Sequence, residues 1–332
     1  MIRIIRGHMI DITGIIIIAL ALFLFSFSSS IKDTFVIPPS WLNLNTIFLS
    51  ILIEALPFVL IGVLIAGVIQ IFVTEEHIQR WIPKNKVMAV IMSCIVGALF
   101  PACECGIVPI VRRLVVKGVP IHAAMGFMLT GPLINPIVIA STYMAFGNDF
   151  KIAGLRMGLG FLVAIMVAFA VSWIFKGNQF KASIISVSTH NHSKNQSLST
   201  RFWSMLTHSI DEFFDMGKYL VMGAFLAAFV QTYMPAKSLL EAGNGPASSI
   251  IVMMGLAYVL SLCSEADAFI GASFSSIFPV SSILGFLIFG PMIDLKNTLL
   301  MLSVFRFKFV MVLLALVVSM VFITLMLLQS FL

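Results

Sequence analysis

Apolar runs long enough to cross a bilayer follow one another along almost the whole sequence: residues 11–28, 46–73, 87–111, 121–146, 152–175, 209–235, 247–274, 280–305 and 308–331. A hydrocarbon core of about 30 Å takes roughly 20 apolar residues per helix, so each run is a candidate membrane segment. Charge is correspondingly scarce. Only 34 of the 332 residues are Asp, Glu, Lys or Arg, 10% of the chain, against about 25% in ordinary soluble domains. With a mean hydropathy of +1.09, the chain has too few charges to cover a water-facing globule. That excludes a soluble enzyme, a nucleic-acid-binding protein, a secreted disulfide scaffold and a disordered chain. Cys94, Cys103, Cys105 and Cys263 lie in apolar surroundings and do not read as an oxidised framework. The expected fold class is an all-α polytopic membrane protein, with the lipid bilayer as its constant partner.

The first run follows Arg3 and Arg6, with no small-residue cleavage site after it, so it reads as a retained N-terminal anchor helix. Residues 176–207 are rich in Lys, Asn, Ser, Thr and His and read as a solvated cytoplasmic linker, in which His190 and His192 are loop residues. The expected organisation is an anchor helix and loop over 1–45, a first repeat over 46–175, the linker over 176–207 and a second repeat over 208–332. A shift of 159 residues pairs Pro120 with Pro279, Gly126-Phe127 with Gly285-Phe286, Gly131-Pro132 with Gly290-Pro291, and Asn135 with Asp294. A shift of 161 pairs Glu54, Phe58, Gly62, Ala66 and Gln70 with Asp215, Tyr219, Gly223, Ala227 and Gln231. Steps of four keep each series on one slowly winding helix face.

Whether the repeats are parallel or inverted turns on 87–118 and 247–278. If each crosses the membrane once, Arg80, Lys84 and Lys86 lie opposite Arg112, Arg113 and Lys117, and the basic residues divide almost evenly. If each is a re-entrant hairpin, every half crosses three times and the second half is inverted. With a cytoplasmic N-terminus, 14 basic residues then face inward, and about four face outward: Lys32, Lys151, Arg156 and Lys237. Lys218 and Lys296 fall within spans. Such a positive-inside bias favours the inverted arrangement, which is also a common plan of secondary transporters. Glu75–Lys86, with Trp81, reads as an interfacial connector.

Three kinds of polar site interrupt the apolar runs. The first is Pro101-Ala102-Cys103-Glu104-Cys105-Gly106, matched by Cys263-Ser264-Glu265-Ala266-Asp267 at the other hairpin tip. Pro and Gly free backbone groups, which membrane depth tolerates only within protein or beside a water-filled cavity. Three thiols and three carboxylates at two tips would form a soft, acidic pocket suited to a thiophilic metal or metalloid. Cys94 has no polar neighbour and reads as a packing residue. The second site is Gly131-Pro132 with Asn135, and Gly290-Pro291 with Asp294, where the spans should break into half-helices. The third is the set of intramembrane carboxylates Glu54, Asp215, Glu265, Asp267 and Asp294, which must pair, face inward or carry protons. Asp215 also reads as an interfacial residue. No Gly-x-x-x-x-Gly-Lys-Ser/Thr phosphate loop is present.

Pro101 to Pro109, Arg112-Arg113-Leu114, Lys117 to Pro120 and Gly131 to Pro136 together resemble the bacterial permease family that includes the organoarsenical efflux permease ArsP and the YraQ-type permeases. Cys263 to Phe269 and Phe289 to Lys296 carry the same resemblance, which covers about residues 46–330. It implies a multi-pass bacterial inner-membrane permease, in the arsenical branch an exporter of trivalent organoarsenicals through thiols. Carried onto this chain, those thiols are Cys103, Cys105 and Cys263. Position 104, often a small polar residue in the family, is Glu104 here. Some relatives resemble one half of a two-component permease, which implies a second membrane subunit as partner.

The expected function is thus a secondary permease, not an enzyme, exporting a soft metal(loid) or organoarsenical species with proton coupling. The alternative is a membrane subunit of a two-component permease complex. Cys103, Glu104, Cys105, Cys263, Glu265 and Asn135 are the expected substrate-binding residues, the three thiols serving as metal ligands. Asp267, Asp294, Glu54 and Asp215 are expected to couple ions or protons, and Pro101, Gly131, Pro132, Gly290 and Pro291 to break helices. No resident cofactor is expected; a thiophilic metal would be cargo.

Overall fold

The computed structural model of the chain describes residues 38–72, 82–83, 85–100, 103–175, 177, 179–181, 198–233 and 245–329. Between Pro, Gly, Asn and Asp breakpoints, the apolar runs fold into twelve helices among the described residues: α1 (Pro39–Phe72), α2 (Lys86–Leu99), α3 (Glu104–Val116), α4 (Ile121–Ile134), α5 (Pro136–Ala145), α6 (Phe150–Ile174), α7 (Leu198–Tyr233), α8 (Pro246–Leu260), α9 (Ser264–Ser273), α10 (Val280–Met292), α11 (Leu295–Val304) and α12 (Phe307–Leu328). The chain divides into Met1–Thr46 and Ile47–Leu332. In the described part of the first unit, Thr46 Oγ1 donates to the Leu42 carbonyl at 2.8 Å. The expected anchor helix over 11–28, the connector residue Trp81, the break residue Pro101 and the linker histidines lie outside the described residues.

Among the described residues, six stretches are long and apolar enough to cross a membrane: Pro39–Gln70, Ile121–Ala145, Phe150–Ile174, Met205–Tyr233, Val280–Val304 and Phe307–Leu328. Three fall before the linker and three after it. The other two apolar runs are not single spans. Residues 87–111 divide between α2, of 14 residues, and α3, of 13; 247–274 divide between α8, of 15, and α9, of 10. At 1.5 Å per residue, none of these four reaches across about 30 Å of hydrocarbon.

Each short pair also turns back on itself. Lys86 at the start of α2, Val115 near the end of α3, His122 at the start of α4 and Gly177 after α6 line one cavity of about 340 Å³. In the second half, Ser282 Oγ in the first turn of α10 donates to Ser249 Oγ in the first turn of α8 at 2.8 Å. The packing repeats as the sequence does: α2 on α4 as α8 on α10, α4 on α6 as α10 on α12, and α3 on α4 as α9 on α10. Across the halves, α3 packs on α11 and α9 on α5. The composite span α10–α11 is 89% buried over its most apolar stretch and α4–α5 78%, against 33% for α7 and α12. The two broken helices are therefore the centre of the bundle.

Four expectations need correction. The spans do not break at Gly131-Pro132 and Gly290-Pro291; Pro132 lies inside α4 and Pro291 inside α10. Proline removes its own N–H and crowds the carbonyl four residues back, which can kink a helix without ending it. The break falls instead at Asn135, extended at φ −66° and ψ 153°, because Pro136 excludes helical ψ from the residue before it. In the second half it falls at Ile293 and Asp294, both extended. The linker is not solvated throughout. Phe180 stacks on Phe305 with ring centroids 5.5 Å apart, and Arg306 N donates to the Gln179 carbonyl at 3.0 Å, so burial of two aromatic rings pins 179–181 to the α11–α12 corner. α7 already begins at Leu198, and α1 at Pro39 rather than near 46. Finally, Arg156 is not an outward-facing residue: it lies inside α6 and is 2% exposed.

Candidate functional site

Four half-helices begin beside polar residues. Asn135 caps α5, its Oδ1 accepting from Val138 N at 2.9 Å. Asp294 caps α11, its Oδ1 accepting from Asn297 N. Cys103 and Cys263 precede α3 and α9 and make no side-chain cap bond, since sulfur is a weak acceptor. Every such N-terminus carries unpaired N–H groups and about half a positive charge. Acidic residues in the first turn of α3 (Glu104) and α9 (Glu265, Asp267) answer that field.

The N-terminal turns of α3, α9 and α11 meet. Ser264 Oγ donates to Glu104 Oε2 at 3.3 Å. Lys296 Nζ lies 3.5 Å from Glu104 Oε1 and 3.6 Å from Asp294 Oδ2, and donates to the Ser261 carbonyl at 3.2 Å. Arg156 Nη1 donates to Thr142 Oγ1 at 2.7 Å and Nη2 to the Ser264 carbonyl at 3.2 Å. Glu104, Asp267, Asp294, Lys296 and Arg156 are all buried. Buried charge is costly unless paired and hydrogen-bonded. Here that condition is met unevenly: among the described residues neither carboxylate oxygen of Asp267 has a hydrogen-bond partner, nor does Asp294 Oδ2. A Cβ on Gly290 would stand 2.9 Å from Asp267 Oδ2, so a glycine is what leaves room for that carboxylate.

The residues expected from sequence divide accordingly. Glu104, Asp267 and Asp294 are in the buried centre, and Asn135, equally buried, holds the start of α5. Cys105 is buried just behind Glu104, whereas Cys103 and Cys263 are partly accessible. The Cys263 thiol bonds the carboxylate of Glu54, which is otherwise exposed on α1, and Glu265 is half-buried. Among the described residues no three His, Cys, Asp or Glu side chains are gathered to hold a metal ion, so the three thiols do not stand as a preassembled ligand set. Asp215 is away from the centre. It pairs with Lys218 at 3.1 Å on the exposed side of α7, the two side chains 73% and 54% exposed.

Sequence reading did not single out Arg156 and Lys296 as site residues. The available signal was a lone basic residue inside an apolar run, which membrane burial makes functional by default. A second polar cluster also went unread. Glu212 on α7 is buried between Arg112, at 2.7 Å, and Arg113, both at the far end of α3. It ties the first half's short pair to the second half.

Comparison with known proteins is consistent along the chain. Residues 40–330 match the family ArsP_1, described as predicted permease. The UPF0718 protein YcgR of Bacillus subtilis is 51% identical over 282 residues, 85% of this chain and 95% of that protein. A Streptococcus mutans protein named "Putative two-component membrane permease complex subunit" is 42% identical over 275 residues, 83% of this chain and 91% of its own length. The UPF0718 protein MJ0584 of Methanocaldococcus jannaschii is 27% identical over 143 residues, 42% of this chain and 39% of that protein. No solved structure matches.

Proposed function

Because the chain belongs to the ArsP_1 family of predicted permeases, we propose that it is a secondary permease whose two inverted halves rock about the buried centre. The observation that carries this reading is the Lys296–Glu104 pair, which joins α11 of the second half to α3 of the first. Around it lie half-helix N-termini inside an otherwise apolar bundle, an arrangement secondary transporters use to bind small charged cargo at the midplane. In a bilayer, α2–α3 and α8–α9 are re-entrant hairpins, entering and leaving on one side. Their returning ends, brought back to the starts of α4 and α10, support that topology. The N-terminus and the linker are cytoplasmic, and the membrane is the bacterial inner membrane.

The cargo is a small thiophilic metal(loid) or organoarsenical species, exported with proton coupling. Cys103 and Cys263 offer thiols free of capping duty at the two tips, with Cys105 behind them. Everted vesicles loaded by an imposed pH gradient test this with methylarsenite, arsenite, Zn²⁺ and Cu⁺. Accumulation of one of these is expected in the wild type and is expected to fall to background in the Cys103→Ser, Cys105→Ser, Cys263→Ser triple variant. Undiminished accumulation by that variant would end the thiol mechanism.

A second reading, favoured by the name of the Streptococcus mutans relative, makes the chain one membrane subunit of a two-component permease complex. Purification from native membranes separates the two. A stoichiometric second membrane protein, without which vesicles are inactive, would support the complex.

A further inference from the structure

We infer that the Lys296 ammonium is the built-in occupant of a cation site, one that accepts a small free cation once the ammonium is removed. The surroundings of Nζ are those of a bound cation. Its hydrogen-bond and ion-pair partners are oxygens: Glu104 Oε1 at 3.5 Å, Asp294 Oδ2 at 3.6 Å and the Ser261 carbonyl at 3.2 Å. Carboxylate and main-chain carbonyl oxygens are the donor set that hard cations take. Charge-assisted N–H···O bonds ordinarily close to about 2.7–2.9 Å. The ammonium therefore sits loosely among its oxygens, placed there by its tether and by the field.

The carbonyl in that set is held on purpose. Ser261 lies at the corner between α8 and α9 with φ 47° and ψ 43°, a left-handed conformation unusual for a residue with a Cβ. Its Oγ donates to the Tyr258 carbonyl at 3.1 Å and accepts from Lys296 N at 3.4 Å, which fixes the corner against α11.

Charge and unmet acceptors point the same way. Three buried carboxyl groups, Glu104, Asp267 and Asp294, lie with two buried basic side chains, Lys296 and Arg156, so the acidic groups outnumber the basic ones. Among the described residues, Asp294 Oδ2, both oxygens of Asp267 and Asn297 Oδ1 are buried without a hydrogen-bond donor. All four are acceptors. A buried acceptor left without a donor is unfavourable, and an added cation relieves it where another anion would not. The proposal draws on the permease reading only for its consequence in transport; the binding measurement stands without it.

The full-length chain in detergent is melted in methylammonium chloride and, at equal ionic strength, in tetramethylammonium chloride, whose cation is too large for the site. Wild type is expected to melt alike in both, because its site is taken. Lys296→Ala is expected to melt lower in tetramethylammonium and to recover by about 5 °C in methylammonium. Lys296→Arg, which keeps a cation in place, is expected to be insensitive. Adding Glu104→Gln and Asp294→Asn to Lys296→Ala is expected to abolish the recovery. The inference is overturned by an equal shift in wild type, by no methylammonium-specific recovery in Lys296→Ala, by a recovery that survives the carboxamide substitutions, or by failure to obtain Lys296→Ala even in methylammonium.

Discussion

Gly62→Val is expected to lower the melting temperature of the purified protein by about 4 °C and to abolish transport. A Cβ on Gly62 of α1 would strike the backbone of α3: the Gly106 carbonyl oxygen, its Cα at 2.7 Å and its C at 2.8 Å. The contact is reciprocal, since a Cβ on Gly106 would stand 2.7 Å from the Phe58 carbonyl oxygen. Neither neighbour is a side chain that can swing away, so the two helices must part. Overpacking of this kind costs roughly 3 kcal/mol, which for a chain of this size is about 4 °C. Transport suffers for a separate reason. Glu104 begins α3 two residues before Gly106, so displacing α3 draws Glu104 away from Lys296. Gly154→Ala in α6 is the control, because a Cβ there meets nothing within 4 Å, and it is expected to leave both properties unchanged. Differential scanning fluorimetry with parallel vesicle assays reads both effects.

Glu212→Ala is expected to have a comparable effect on stability at the other end of α3. It would leave Arg112 and Arg113, whose side chains are 14% and 13% exposed, without their shared counter-charge. Stranding one side of a buried ion pair costs about 3 kcal/mol, again about 4 °C. Removing the stranded charges as well should recover most of that loss. The triple variant Arg112→Ala, Arg113→Ala, Glu212→Ala is therefore expected to melt above Glu212→Ala alone. Asp215→Ala, three residues along the same helix, breaks only an exposed pair with Lys218 and is expected to shift melting by less than about 2 °C. If Asp215→Ala were the more damaging of the two, the Arg112–Glu212–Arg113 cluster would not be the tie between the halves.

Much of the architecture was legible because membrane physics leaves few choices. Apolar length located the spans, and the 159-residue recurrence of Gly-Phe and Gly-Pro located the pair of broken helices at the centre. The exact break was less legible. Gly131-Pro132 is the conspicuous breaker, yet it is Pro136, acting on the residue before it, that ends α4. At the site, carboxylates in apolar runs announced Glu104, Asp267 and Asp294. Their partners did not announce themselves. Arg156 sits seven residues into α6, near enough to the loop at Asp149 to pass for an interfacial charge. Lys296 looked like a stray basic residue until folding brought it 192 positions back along the chain to Glu104. Asp215 stood out in the sequence and Glu212 did not, for a related reason. Both occupy one acidic turn of α7, and only packing against α3 decides which of them is buried.

The central claim is that each half crosses the membrane three times and dips into it once, so that the two tips meet at one buried centre. Single cysteines placed at position 83 and at Gly118 in a cysteine-free background, labelled from one side or the other with a membrane-impermeant maleimide, test it directly. The account requires both positions to label from the cytoplasmic side, and Gly147, in the loop between α5 and α6, to label only from the opposite side. Labelling of positions 83 and 118 from opposite sides would contradict it.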